Sequence, residues 1–122
     1  MTMLPEWAGK FVSTPYEEMD CWQLCRAVYK QQYAIEIGDL REQRKFVQEG
    51  QWLEVNKSGI YLEGDILLFW AARSELDKHV AIYLNGDYML HSAREVGAVV
   101  IEKWTRPNWK NQMRSVYRHS SR

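Results

Sequence analysis

This 122-residue sequence has no surplus of charge of either sign and no long apolar run. Sixteen Lys and Arg offset sixteen Asp and Glu, which argues against a nucleic-acid partner held by its phosphates. No apolar stretch approaches the ~20 residues that cross a bilayer, so no membrane role is expected. The start, Met1-Thr-Met-Leu-Pro-Glu-Trp7, lacks the basic opening and apolar core of a signal peptide. Synthesis and folding in a reducing cytoplasm are therefore expected. Repeats, low-complexity tracts and Gly/Ser linkers are missing, so no domain boundary suggests itself. A chain of this length, 46% hydrophobic, suits one core but not two, giving a single domain over 1–122. Cysteine is scarce: Cys21 and Cys25 stand four apart, and on one helix they would lie a turn apart on one face, a poor geometry for a disulfide. Histidine is nearly as scarce, yet two of the three, His79 and His91, bracket a candidate hairpin.

Residues 1–19 read as a lead-in in which Trp7, Phe11 and Tyr16 pack and Pro15 opposes helix. Asp20, a favoured N-cap, precedes Cys21, Leu24, Cys25 and Val28 at helical spacing, which predicts a helix to about Gln32. A second helix is expected over roughly 39–52, around Leu40, Phe46, Val47 and Trp52. The character then changes. Residues 64–70 read as a buried strand, and 79–84, 87–93, 98–104 and 113–119 as further short strands. Helices followed by strands predict an α+β fold, with the N-terminal helices packed on a small antiparallel β-sheet.

Within the hairpin, Val80, Ile82 and Leu84 share the more apolar face and should meet the core, leaving His79, Ala81 and Tyr83 on the other. A two-residue Asn85-Gly86 turn would put the two histidines on opposite faces. A three-residue loop, Leu84-Asn85-Gly86, would set His79 directly across from His91 beside the small Ala81, and this is the expected arrangement. The third chemical group is Cys21. A thiol in the first turn of a helix sits at the positive end of the dipole, which favours thiolate. An imidazole beside it can take the proton, and a second polar group can orient that imidazole. Cys25 reads as a small core residue.

Four blocks occur together: Asp20-Cys21-Trp22-Gln23-Leu24, Gly64-Asp65-Ile66-Leu67-Leu68-Phe69, His79-Val-Ala-Ile-Tyr-Leu-Asn-Gly86 and His91-Ser92-Ala93. Their order resembles that of the NlpC-type cell-wall peptidases, papain-like cysteine enzymes that cleave peptidoglycan stem peptides. The likeness runs from about Trp7 to His119. Trp22 after the cysteine and the closing Ser115-Val-Tyr-Arg-His119 look most like the short members found with bacteriophage tail-assembly genes and prophages. The resemblance implies Cys21 as nucleophile, His79 as general base and His91 as the orienting residue. It implies cleavage between D-glutamate and the diamino acid, a peptidoglycan stem peptide as substrate, phage-tail proteins as partners, and no metal or organic cofactor. Action at the cell wall after delivery, as part of a virion for instance, follows from the same likeness. Tyr16 stands where members carry a tyrosine near the substrate, with a packed aromatic as the plainer reading, and Trp22 would line the cleft or the core.

Two residues depart from the pattern. Gln23 stands where the family has glycine, two residues after the nucleophile, and would narrow the cleft or alter specificity. Ala81 replaces the glycine of His-Val-Gly-Ile-Tyr. A structural tail component without hydrolysis, a secreted antibacterial amidase toxin and an acyltransferase of the same fold are the rival readings. A zinc site of Cys21, Cys25, His79 and His91 has suitable ligand types but an unusual spacing. Arg114, Arg118 and Arg122 read as a solvated end, with contact to an anionic wall polymer as the alternative.

Overall fold

A computed structural model describes residues 4–38, 51–70 and 78–121. The first helix, α1 (Cys21–Tyr33), starts where the sequence predicts, at an extended Asp20. The Asp20 carboxylate accepts from the Gln23 N–H at 2.9 Å, and the Gln23 side-chain oxygen accepts from the Asp20 N–H at 2.8 Å. This reciprocal capping box satisfies two donors at the helix start. The helix ends at Ala34, whose left-handed backbone (φ 55°) brings its N–H to Tyr29 O.

Six strands follow among the described residues: β1 (Trp52–Val55), β2 (Ile66–Trp70), β3 (Lys78–Asn85), β4 (Tyr88–Ala93), β5 (Ala98–Lys103) and β6 (Met113–His119), with a short helix α2 (Pro107–Lys110) before β6. They form one antiparallel sheet in the order β1-β6-β2-β3-β4-β5. The α+β architecture is the expected one. The helix predicted over 39–52 falls mostly outside the described residues, but its far end is corrected: Trp52 opens β1, paired with His119. The reason is packing, because the indole meets His119 edge-on at 4.9 Å and Tyr29 at 5.6 Å, which the sheet backbone allows.

α1 covers one face of the sheet. Leu24, Cys25, Val28 and Tyr29 bury against Ile66, Leu68, Val80, Ile82, Leu84 and Leu90. The opposite face is also covered: Leu67, Phe69, Ala81, Tyr83, Met89 and Val116 lie beneath Tyr61, Trp104, Trp109 and Met113. Burial on both faces explains why β2 reads Ile-Leu-Leu-Phe without alternation.

The Gly64-Asp65 pair ahead of β2 is structural. Gly64 has φ 93°, a left-handed conformation that glycine adopts without strain. Its N–H donates to Tyr83 O at 2.9 Å, and its carbonyl accepts from the Tyr29 hydroxyl. Asp65 is fully buried and accepts a two-pronged pair of bonds from Arg118, 3.0 Å from Nε and 2.8 Å from Nη2. Arg118 is thus neither a solvated end nor a polymer contact, because it neutralises a buried carboxylate. Arg114 lies 4.1 Å over the Trp70 ring, while Arg122 is outside the described residues.

Candidate active site

The hairpin that carries the histidines differs from both expected forms. Asn85 pairs with Tyr88 across a two-residue turn of Gly86 and Asp87, and a bulge at Leu84 shifts the register to Tyr83–Met89 and Ile82–Leu90. Gly86 takes the positive φ (57°) that this tight turn needs. Continued along the strands, this register sets His91 opposite Ala81 and one step diagonal to His79. Both histidines keep the face away from α1's core side chains, and the diagonal suffices: His79 Nε2 lies 2.8 Å from His91 Nδ1. Ala81, fully buried, shares that face beside them.

The chain of polar groups goes further. His91, fully buried, places Nε2 2.9 Å from Glu102 Oε2 on β5. The Trp109 indole N–H on α2 donates to the other carboxylate oxygen, Oε1, at 2.9 Å. The same indole stacks on His79 (5.2 Å, 29°) and stands edge-on to His91 (5.1 Å, 85°). Glu102 and Trp109 do not figure in the sequence reading. The Glu102 signal is weak but present: β5 pairs residue for residue with β4, so a carboxylate two residues along from Val100, the partner of His91, shares its face.

Burial pushes the His79 ring down to about 3, with His91 adding to the effect. Burial lowers His91 as well, against the pull of Glu102. For Glu102, burial favours the neutral acid, but hydrogen bonds from Trp109 and His91 and the nearby Arg106 hold its carboxyl below the ordinary range. Two neutral imidazoles thus lean on one ionised carboxylate.

Cys21 is the first residue of α1 and is 7% exposed. Its sulfur sits against the backbone N–H groups of Val80, Trp22 and Cys21 itself. Val80 adjoins His79, so the helix start and the first residues of β3 meet at the thiol. No hydrogen bond joins the sulfur to the His79 ring among the described residues. The expectation of a lowered thiol pKa is corrected. Burial pushes Cys21 up to about 11, and the Asp20 charge adds to it, outweighing the three backbone donors. Cys25 is fully buried and raised still more firmly by burial, as befits a core residue.

The helix start is tied to the histidine strand from a second side. The Ser92 hydroxyl donates to Met19 O at 2.5 Å, one residue along from His91. Residues 13–16 pair with the start of β5 through Ser13 N–H to Val99 O, Val99 N–H to Thr14 O and Tyr16 N–H to Gly97 O, each 2.9 Å. Tyr16 is half-buried with the Arg94 guanidinium 5.8 Å over its ring. Trp22 packs partly buried against the main core, so it is a core residue first. Gln23 is exposed, and its side-chain oxygen is engaged in the helix cap, one residue beyond Trp22.

Among the described residues no group of three or more His, Cys, Asp or Glu side chains is arranged to hold a metal ion. The zinc set considered above is broken by geometry, because His79 and His91 turn ring nitrogens toward each other. An open cavity of about 650 Å³ lies elsewhere, walled by Tyr61, Tyr83, Trp104 and Met113, and none of the site residues lines it.

The model of the NlpC/P60 family matches residues 6–118, nearly the entire chain. This chain belongs to the NlpC/P60 family. Members of that family are generally cell-wall peptidases, typically with a catalytic cysteine. No curated protein matches significantly. Among solved structures, the chain is similar to an NlpC/P60 family protein from Bacillus cereus ATCC 10987 (TM-score 0.71, 22% identity, covering 92% of this chain and 37% of that one). It is also similar to a lipoprotein-like NLP/P60 family protein from Staphylococcus aureus subsp. aureus Mu50 (TM-score 0.73, 20% identity, covering 92% of this chain and 38% of that one). The chain therefore spans little more than a third of the length of either NlpC/P60 neighbour.

Proposed function

We propose that this chain is a cysteine endopeptidase of peptidoglycan stem peptides, with Cys21 as nucleophile, His79 as general base and His91 as its orienting partner. One observation carries the reading: the His79–His91 hydrogen bond stands at the start of β3, where the Cys21 sulfur meets the adjoining Val80.

The chemistry follows from the resting charges. A raised thiol and a lowered imidazole make a neutral pair, so the thiol proton passes to His79 as sulfur attacks the amide carbon. Carbon–sulfur bond formation drives the carbonyl π electrons onto oxygen, and the positive end of α1 is assigned the role of stabilising that negative charge. The tetrahedral species collapses, the carbon–nitrogen bond breaks, and the imidazolium protonates the departing amine. Water then attacks the thioester, giving its proton to His79. The acid leaves, and the proton returns to sulfur. No metal or organic cofactor enters this sequence.

The bond cut is the one between D-glutamate and the diamino acid, and the setting is a phage tail or prophage that delivers the protein to the wall. Both rest on the family likeness of the Asp20–Leu24, Gly64–Phe69, His79–Gly86 and His91–Ala93 blocks. Tyr16 is assigned the rim of the substrate cleft, near the helix start. A second reading, a tail component of the same fold without turnover, is favoured by the buried sulfur and its missing hydrogen bond to His79. Stem-peptide release by wild type and by Cys21→Ala separates the two. We expect fragment release that falls by at least about 10³-fold in the variant. Equal, negligible release from both would overturn the peptidase reading and leave the structural one.

A further inference from the structure

The hydrogen bonds around His91 have a direction that only one residue can set. An ionised carboxylate accepts and never donates, and a neutral imidazole has one N–H and one bare nitrogen. Glu102 therefore requires the His91 proton on Nε2, which leaves His91 Nδ1 bare and able only to accept. The one way to keep the 2.8 Å contact with His79 is then an N–H on His79 Nε2. His79 Nδ1 is left with a bare lone pair, in the form a base needs.

We propose that Glu102, held by Trp109, is a positioning residue that fixes the tautomer of His79 from two hydrogen bonds away. Trp109 matters because its indole N–H occupies Oε1, so that Oε2 is the oxygen turned to His91. Its ring also lies nearly parallel to the His79 ring at 5.2 Å, which resists the ring flip that would exchange Nδ1 and Nε2. The functional meaning rests on the reading of His79 as a base, whereas the proton positions do not.

Glu102→Gln makes the argument testable because Trp109 dictates which way the new amide faces. The indole N–H needs an acceptor, so the amide oxygen takes the Oε1 place and the NH₂ group faces His91 Nε2. That nitrogen must then accept. His91 moves its proton to Nδ1 and donates to His79 Nε2, and His79 carries its own proton on Nδ1, where no base remains. Replacing the indole as well, in Glu102→Gln with Trp109→Phe, removes its hydrogen bond, leaves only the Arg106 guanidinium 4.0 Å from the Oε1 place, and lets the amide turn its oxygen back to His91.

The readout is the ¹⁵N shift pattern of labelled histidines in the full chain at neutral pH, with stem-peptide turnover measured in parallel. Wild type should show His79 and His91 both neutral with protons on Nε2. Glu102→Gln should move both protons to Nδ1 and lower turnover on the order of 10⁴-fold, as a wrong tautomer does. The double variant should regain the Nε2 pattern at least in part, and Trp109→Phe alone should keep it. A wild-type His79 protonated on Nδ1, or a His91 protonated on both nitrogens, would overturn the proposal even if no variant folds. So would an unchanged pattern in Glu102→Gln. The expected patterns without any stem-peptide turnover would uphold the tautomer relay and sink only the peptidase reading.

Discussion

Cys21 meets two opposed influences. The helix start offers N–H groups that favour thiolate, while burial and the Asp20 carboxylate favour the thiol, and the second set prevails. An alkylating reagent reports the outcome. A group whose pKa is raised loses its proton only at higher pH, so the Cys21 reaction with iodoacetamide should be negligible near pH 5 and still climb through pH 9. Rapid modification at mildly acidic pH would mean a thiolate–imidazolium pair at rest and would contradict the neutral pair. Cys25, fully enclosed, should stay unmodified until the chain unfolds. The residue types of this site, Cys21, His79 and His91, were legible because their chemistry is scarce in the chain. The thiol's state was not, because its surroundings come from Val80 and β3, more than fifty positions away.

At the scale of elements, α1 shows how a departure from a family pattern can have a local purpose. Gln23 closes a capping box with Asp20, and the spacing Asp-x-x-Gln was available in the sequence, yet comparison with the family's glycine drew attention to the cleft instead. Glycine restored at this position should cost stability. Lost capping and lower helix propensity together amount to about 1–1.5 kcal/mol. Thermal melting of Gln23→Gly should therefore fall by roughly 4 °C, and an unchanged midpoint would deny the cap its role. The hairpin is the complementary case. Alternation placed His79 and His91 on one face, but the turn was read one register family away, since a bulge at Leu84 leaves no mark in a run of apolar residues. Likewise β1 was missed because four residues around one buried Trp52 carry too short a pattern to be told from the end of a helix.

Across the whole molecule, the sheet has a larger core toward α1 and a smaller one, capped by aromatic side chains, on its far side. The order of helices and strands was enough to foresee the first. The second is built from Tyr61, Trp104, Trp109 and Met113, which come from loops, strand ends and a short helix and show no period along the chain. The ion pair of Asp65 with Arg118 likewise joins residues fifty-three positions apart, and sits beside the Ile66–Tyr117 pair where β2 meets β6. Asp65→Asn would leave the guanidinium half-paired. Because the Arg118 side chain keeps 24% exposure, water compensates part of the loss, and destabilisation of about 2 kcal/mol is expected from denaturant unfolding. A change below about 0.5 kcal/mol, the range of ordinary surface substitutions, would make the pair incidental.

The clasp between residues 13–16 and the start of β5 has a consequence for rearranging the chain. Circular permutation normally tolerates a cut at an exposed turn such as 94–97, but here that turn supplies the carbonyl of Gly97 that anchors Tyr16, five residues ahead of the sulfur. New termini opened there would unmoor the start of α1 as well as the hairpin, whereas a cut near Lys57–Ser58 would leave the clasp intact.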